Sequence, residues 1–323
     1  MDTNSNQARR VVIGITAHVD AGKTTLAEAM LYRTGRLRKL GRVDHGSAAM
    51  DSHLLERERG ITIFSSQAEL PLGDMEVTLL DTPGHVDFSA EMERTLSVLD
   101  YAILVISGAD GVQAHTRTLW RLLELYRIPT FLFVTKMDFG RCGRGQMMEH
   151  LRHELGEGCV DFTPADRERR MEQLATCRED ALEAYLDGGE VPDALVRQLV
   201  GRRLVFPCWF GSGLKLEGID EFLEGLARYV EPPVYPETFS ARVFKISHDP
   251  QGKRLTHLKV TGGTLRVRDA VSYAGHQEKA AQLQQKYEGR LEEVTDRFMA
   301  GLEDANDDFL KDRKSTRLNS SHT

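Results

Sequence analysis

Residues 17–24, Ala17-His-Val-Asp-Ala-Gly-Lys-Thr24, carry the residue types that hold a polyphosphate. An apolar run at 11–15 feeds this small-residue loop, and a helical pattern follows from Leu26 to Tyr32. Strand, loop and helix in that order are the context a phosphate-binding loop needs. Backbone N–H groups of His18, Val19, Asp20, Ala21 and Gly22, continuing into the helix start at Thr25, would cradle phosphate oxygens at the positive helix end. Lys23 would reach the β- and γ-phosphates, and the Thr24 hydroxyl would ligate Mg²⁺. Ala17 stands where the usual pattern has its first glycine.

Four later stretches extend that chemistry. Asp81-Thr-Pro-Gly-His85 follows the apolar run 77–80, so its acid falls at a strand end and can hold Mg²⁺, while Gly84 can offer its N–H to a γ-phosphate. Arg59-Gly-Ile-Thr-Ile63 lies between the two, where Thr62 would cover the metal. The expected metal ligands are therefore Thr24, Thr62 and Asp81. Thr135-Lys136-Met-Asp138 follows the run 131–134, and the Asp138 carboxylate can accept both N–H groups of a guanine edge. Gly211-Ser212-Gly213 follows the run 204–210, and its backbone can meet the guanine carbonyl.

The elements that must position these groups alternate. Strands are expected at 10–16, 61–68, 75–80, 101–107, 129–135 and 204–210, with helices at 23–34, 113–126 and 217–229. That alternation predicts an α/β fold with a mostly parallel sheet and helices on both faces. In such sheets ligands collect beyond the carboxyl ends of the strands, where these motifs fall.

Ala17-His-Val-Asp-Ala-Gly-Lys-Thr24, Arg59-Gly-Ile-Thr62 and Asp81-Thr-Pro-Gly-His85 resemble the translational GTPases, a group that includes elongation factors G and Tu. Residues 54–63, with Leu96-Ser-Val-Leu-Asp100 and Asp110-Gly-Val-Gln-Ala114, look most like the tetracycline-resistance ribosomal protection proteins. The resemblance covers roughly residues 9 to 275. It implies a P-loop GTPase domain at 10–231, GTP and GDP as ligands with Mg²⁺, and the ribosome as partner. It also implies that His85 orients the attacking water, with Lys23, Thr62 and Gly84 completing the catalytic group, and that Val19 and Ile61 form an apolar gate beside it. Thr135 stands where Asn is commoner, and its hydroxyl can still bond to the phosphate loop. Two rival readings stay open: an elongation-factor-G-like translocase, and an inactive truncated nucleotide-binding fragment.

The remaining features bound the reading. The chain has 323 residues, room for about two domains, and a formal net charge of −7, which argues against independent DNA binding. No apolar run is long enough to cross a bilayer, the start at 1–9 is polar and expected to be disordered, and a cytoplasmic monomer is expected. Cys142, Cys159, Cys177 and Cys208 lack metal-ligand spacing and read as reduced thiols. Asp44, His45, His53 and Glu56 read as solvated residues of a switch segment at 35–60. Residues 141–201 read as a helical insertion, with helices at 149–155, 166–186 and 192–200 and with Arg167, Arg169 and Arg170 on a solvated face. The proline-rich stretch 231–236 is a stiff linker into a partial β-barrel at 232–275, with strands at 239–246 and 255–260. Residues 276–311 have helical spacing, and 312–323 resemble one reading frame of a sequencing adapter, an expected artefact at a truncated end.

Overall fold

The computed structural model describes residues 9–37, 66–82, 89–139, 142–163, 167–248, 254–266, 269–273 and 276–279. Two compact units result, residues 1–233 and residues 234–323. The first runs β1 (Arg9–Ala17), α1 (Lys23–Arg33), β2 (Ser66–Leu72), β3 (Met75–Asp81), α2 (Ser89–Leu96), β4 (Tyr101–Ser107), α3 (Ala114–Leu125) and β5 (Thr130–Thr135). It continues with α4 (Arg144–Leu155), β6 (Cys159–Asp161), α5 (Arg167–Cys177), α6 (Glu179–Gly188), α7 (Asp193–Gly201), β7 (Phe206–Phe210) and α8 (Ile219–Tyr229).

One sheet in the order β2-β3-β1-β4-β5-β7-β6 organises this unit. Every pairing is parallel except β2 with β3. The central strands β4 and β5 are buried at every position, which is why they read as continuous apolar runs rather than as alternation. Successive side chains still go to opposite faces. Ile103, Val105, Phe131 and Phe133 pack with Leu26 and Met30 of α1, Leu199 of α7 and Phe222 and Leu226 of α8. Ala102, Leu104, Ile106, Leu132 and Val134 pack with Leu96 of α2, Leu119 and Leu123 of α3 and Leu151 of α4. Helices therefore cover both faces, as a parallel sheet requires.

Several expectations need correction. The segment 141–201 is not purely helical: Cys159–Asp161 pairs with β7 and extends the main sheet at its edge. The helix expected over 166–186 is two helices, separated at Arg178, whose backbone is extended. Helix α4 starts at Arg144 rather than at 149. Helix α2 adds to the helices named above, and β2 runs Ser66–Leu72, past the expected end at 68, while 61–65 lie outside the described residues. Arg9 opens β1 and pairs in register with Met75, so it does not belong to a disordered start.

In the second unit β8 (Ser240–His248) and β9 (Arg254–Gly262) form an antiparallel pair. β10 (Ala270–Tyr273) pairs with β11 (His276–Lys279). The strand at 276–279 overturns the helical reading for those residues, because β10 supplies a ladder that helical spacing alone could not foresee. The expected helix beyond it and the adapter-like tail lie outside the described residues. Among the described residues no helix is long and apolar enough to cross a membrane.

Candidate nucleotide site

The loop after β1 turns sharply into α1. Asp20 (φ 60°) and Gly22 (φ 91°) adopt left-handed backbone, and Ala21 N–H donates to His18 O at 3.2 Å. Gly22 caps α1 in this conformation and supplies no side-chain cap. A side chain at Gly22 would be strained by its φ alone. Lys23 opens the helix, followed by the half-buried Thr24 and Thr25, while His18 and Val19 lie half-buried in the loop.

Asp81 ends β3, directly beside Ile15 in the β1 register. Thr82 fixes this end: its N–H and its Oγ1 both donate to Ile15 O, at 3.1 and 2.9 Å. Asp81 is fully buried and Lys23 is 8% exposed; their Oδ1 and Nζ form an ion pair. The opposing charges meet where phosphates would arrive. His18 has a buried Nδ1 with no hydrogen-bond partner among the described residues, and its ring lies 6.0 Å from that of His115.

The loops after β5 and β7 are tied to the loop after β1. Thr135 Oγ1 donates to Ala21 O at 2.7 Å, and Lys136 Nζ donates to Asp20 O at 2.6 Å. Gly213 closes from the other side, since a Cβ there would sit 2.9 Å from Thr25 O and 3.1 Å from Leu26 N. Ser212 pairs with Glu217 through both backbone groups, N–H to O at 2.9 Å and 3.0 Å, which closes the loop after β7. Asp138 faces solvent and forms an ion pair with Lys215 at 2.8 Å. That bond holds the Asp138 carboxyl below the usual carboxylate range. Sequence reasoning missed Lys215; its position two residues beyond Gly213 is the signal that could have found it.

The structure thus gathers residues 18–25, Asp81, Thr135, Lys136 and Gly213 around one loop junction, with Asp138 at its exposed margin. Thr62, Gly84, His85 and Ile61 lie outside the described residues, as do Asp44, His45, His53 and Glu56. Thr24 and Asp81 bring hard oxygen atoms of the kind that suit Mg²⁺ to one place, with Asp81 paired to Lys23 in this structure. Among the described residues no cluster of three His, Cys, Asp or Glu forms a self-sufficient metal cage, and the four cysteines are free.

The sequence profile of the elongation factor Tu GTP binding domain matches residues 8–232. The oxytetracycline resistance protein of Streptomyces rimosus is 39% identical over 289 aligned residues, covering 80% of this chain and 43% of that protein. The tetracycline resistance protein TetO of Campylobacter jejuni is 34% identical, with coverages of 80% and 43%. TetM from transposon Tn916 of Enterococcus faecalis is 33% identical, covering 93% of this chain and 50% of the relative. A crystal structure from Thermus thermophilus superposes with a TM-score of 0.77 at 27% identity, over 89% of this chain and 51% of that one. The chain spans about half the length of the curated relatives it matches. A strand-end acid facing a helix-start lysine, a loop after β5 bonded to the loop after β1 and a profile match over residues 8–232 agree: the chain belongs to the elongation factor Tu GTP-binding domain family.

Proposed function

We propose that this chain is the GTP-binding and GTP-hydrolysing part of a ribosomal protection protein that frees the ribosome from tetracycline. The observation that carries the nucleotide assignment is the pair of bonds from Thr135 and Lys136 to Ala21 O and Asp20 O, which set the base corner and the phosphate corner in one frame. The resistance reading rests on the relatives at 33 to 39% identity whose names state it.

In this reading the guanine N1–H and exocyclic amine donate to Asp138, while the backbone at Ser212 and Gly213 meets the carbonyl. Phosphate oxygens replace Asp81 as partners of Lys23, and Asp81 becomes available together with Thr24. Thr24 and Asp81 would hold Mg²⁺, whose charge would offset that of the phosphates. Water attacks the γ-phosphorus, the bond to the β–γ bridging oxygen breaks, and GDP and phosphate leave. By the family resemblance, His85 would orient that water, Gly84 N–H would meet the γ-phosphate and Thr62 would help hold Mg²⁺. Catalysis by such a site is positioning and charge stabilisation rather than covalent chemistry.

Asp138→Asn tests the base assignment. Nucleotide titration is expected to show preference moving from guanine to xanthine nucleotides, because the Asn amide donates where the carboxylate accepted. Retained GTP preference would sink it. The complete coding sequence, expressed in a tetracycline-sensitive host, should raise growth in the drug; a stimulated GTPase that leaves growth unchanged would place the protein with the translocation factors instead.

A further inference from the structure

A cavity of about 340 Å³ opens beside β6, lined by Arg144, Arg152, Arg169 and Arg170 together with Asp161 and Thr163. Among its charged lining residues, four guanidinium groups stand against one carboxylate. Arg144 Nε donates to that carboxylate at 2.6 Å, and Asp161 Oδ1 also accepts Thr163 N–H at 2.9 Å. The aspartate is thus engaged by Arg144 and by its own turn, and the lining holds more guanidinium than carboxylate groups. Of the three arginines expected on a solvated face, Arg167 and Arg169 are exposed and Arg170 is half-buried; Arg167 pairs with Glu190 at 2.7 Å.

The guanidinium groups of Arg152 and Arg170 are held in place but not used up. Arg152 Nε donates to Cys159 O at 3.1 Å, and its Nη2 is buried with no partner among the described residues. Arg170 Nη1 donates to Phe162 O at 3.3 Å while its guanidinium stacks over the Phe162 ring, and its Nε is buried and likewise unpartnered. Thr163 Oγ1 and Gln173 Oε1 are in the same condition, and Gln173 reaches the same cavity. Rotating the Gln173 amide would present its donor end instead. Buried polar groups are nearly always bonded, so the donors of Arg152, Thr163 and Arg170 around one cavity mark a missing acceptor. Arg144 and Gly145 open α4, and Arg169 and Arg170 lie in the first turns of α5, so two positive helix ends add to the field.

The place also suits a ligand. Asp161 ends β6, which runs parallel to β7, so the cavity lies on the carboxyl side of the sheet, where α/β ligands collect. It is four strands away from β1 in the sheet order, roughly 19 Å at the usual inter-strand spacing. It is therefore separate from the loop around Lys23.

We propose that the cavity between α4, β6 and α5 binds a phosphate-bearing small molecule through Arg152, Arg169 and Arg170, with Thr163 as a neutral donor. A bare phosphate would fill only part of the volume, so a phosphomonoester with a small organic body fits better. Titration calorimetry on the whole chain, with GDP and Mg²⁺ saturating, can compare inorganic phosphate with ribose 5-phosphate. Saturable uptake is expected, with ribose 5-phosphate binding more tightly than phosphate; equal affinity would assign the site to the free anion, which keeps the proposal. Arg152→Gln combined with Arg170→Gln should weaken uptake by at least about tenfold, the scale of losing charge-assisted hydrogen bonds. Arg169→Glu, at an exposed position, should weaken it as well. Absence of saturable uptake of either probe, or uptake by either variant chain equal to that of the unaltered one, overturns the proposal.

Discussion

The loop after β1 and the sheet edge at β6 both offer positive groups to an anion, and they are built in opposite ways. The first uses backbone N–H groups and one lysine, whose charge is already matched by the buried Asp81. The second uses side chains from three elements, four arginines against one aspartate, and leaves donors of Arg152 and Arg170 unpartnered among the described residues. A site with its own counter-charge is stable while empty and must exchange partners when the ligand arrives. A site in charge surplus is uncomfortable while empty, and its ligand relieves the surplus.

The largest test of this contrast removes the matched lysine. Lys23→Ala takes away the cation that faces buried Asp81, and loss of one partner of a buried pair costs about 3–5 kcal/mol. Chemical denaturation should show that loss, and Lys23→Ala with Asp81→Asn should recover much of it; a single variant as stable as the unaltered chain would break the comparison. Next, Gly211→Ala would drive a methyl into Glu217 O and to within 2.8 Å of the Phe133 ring. Overpacking of this kind costs about 1–3 kcal/mol, read as a lower denaturant midpoint.

A smaller effect concerns the exposed base corner. Because Lys215 holds the Asp138 carboxyl below the usual carboxylate range, Asp138 stays ionised as acid is added. A folded carboxyl with a lowered pKa contributes above its unfolded value and loses that contribution as pH falls through the lowered one. Lys215→Met should therefore move the acid limb of GTP binding to higher pH; an unmoved limb would show that the ion pair has no part in base reading. The smallest is chemical. Burial pushes the Cys177 thiol up to about 11 and the Cys208 thiol well above its ordinary value. At pH 8 the Cys177 thiolate is then roughly one part in a thousand, so native alkylation there should be far slower than after unfolding. Rapid native labelling at Cys177 would mean that the edge region is not closed as described.

The central strands and the β1 loop were legible because each is written in a contiguous stretch. Residues 101–107 and 129–135 are apolar runs, with β4 and β5 fully buried between two helical layers, and Gly22-Lys23-Thr24 sits at a strand-to-helix junction. The edge was harder. Three residues, Cys159–Asp161, are too few to show a period, yet pairing with Phe206, Pro207 and Cys208 makes them a strand. The break between α5 and α6 at Arg178 carries neither Gly nor Pro to announce it. His276–Lys279 is wholly polar, so only its partner β10 defines it. The arginine cavity joins residues up to 29 positions apart, Arg144 to Gln173, and no single stretch displays it.

The close seat of Gly213 on the carbonyl of Thr25 has a consequence for how affinity is distributed. Any adjustment of the α1 start must be followed by the loop after β7, which in the proposed reading frames the base. Selectivity among bases and grip on the phosphate tail are then two readings of one linkage. If the proposed nucleotide reading holds, a change confined to the loop after β7 would alter how fast the chain lets go of GDP.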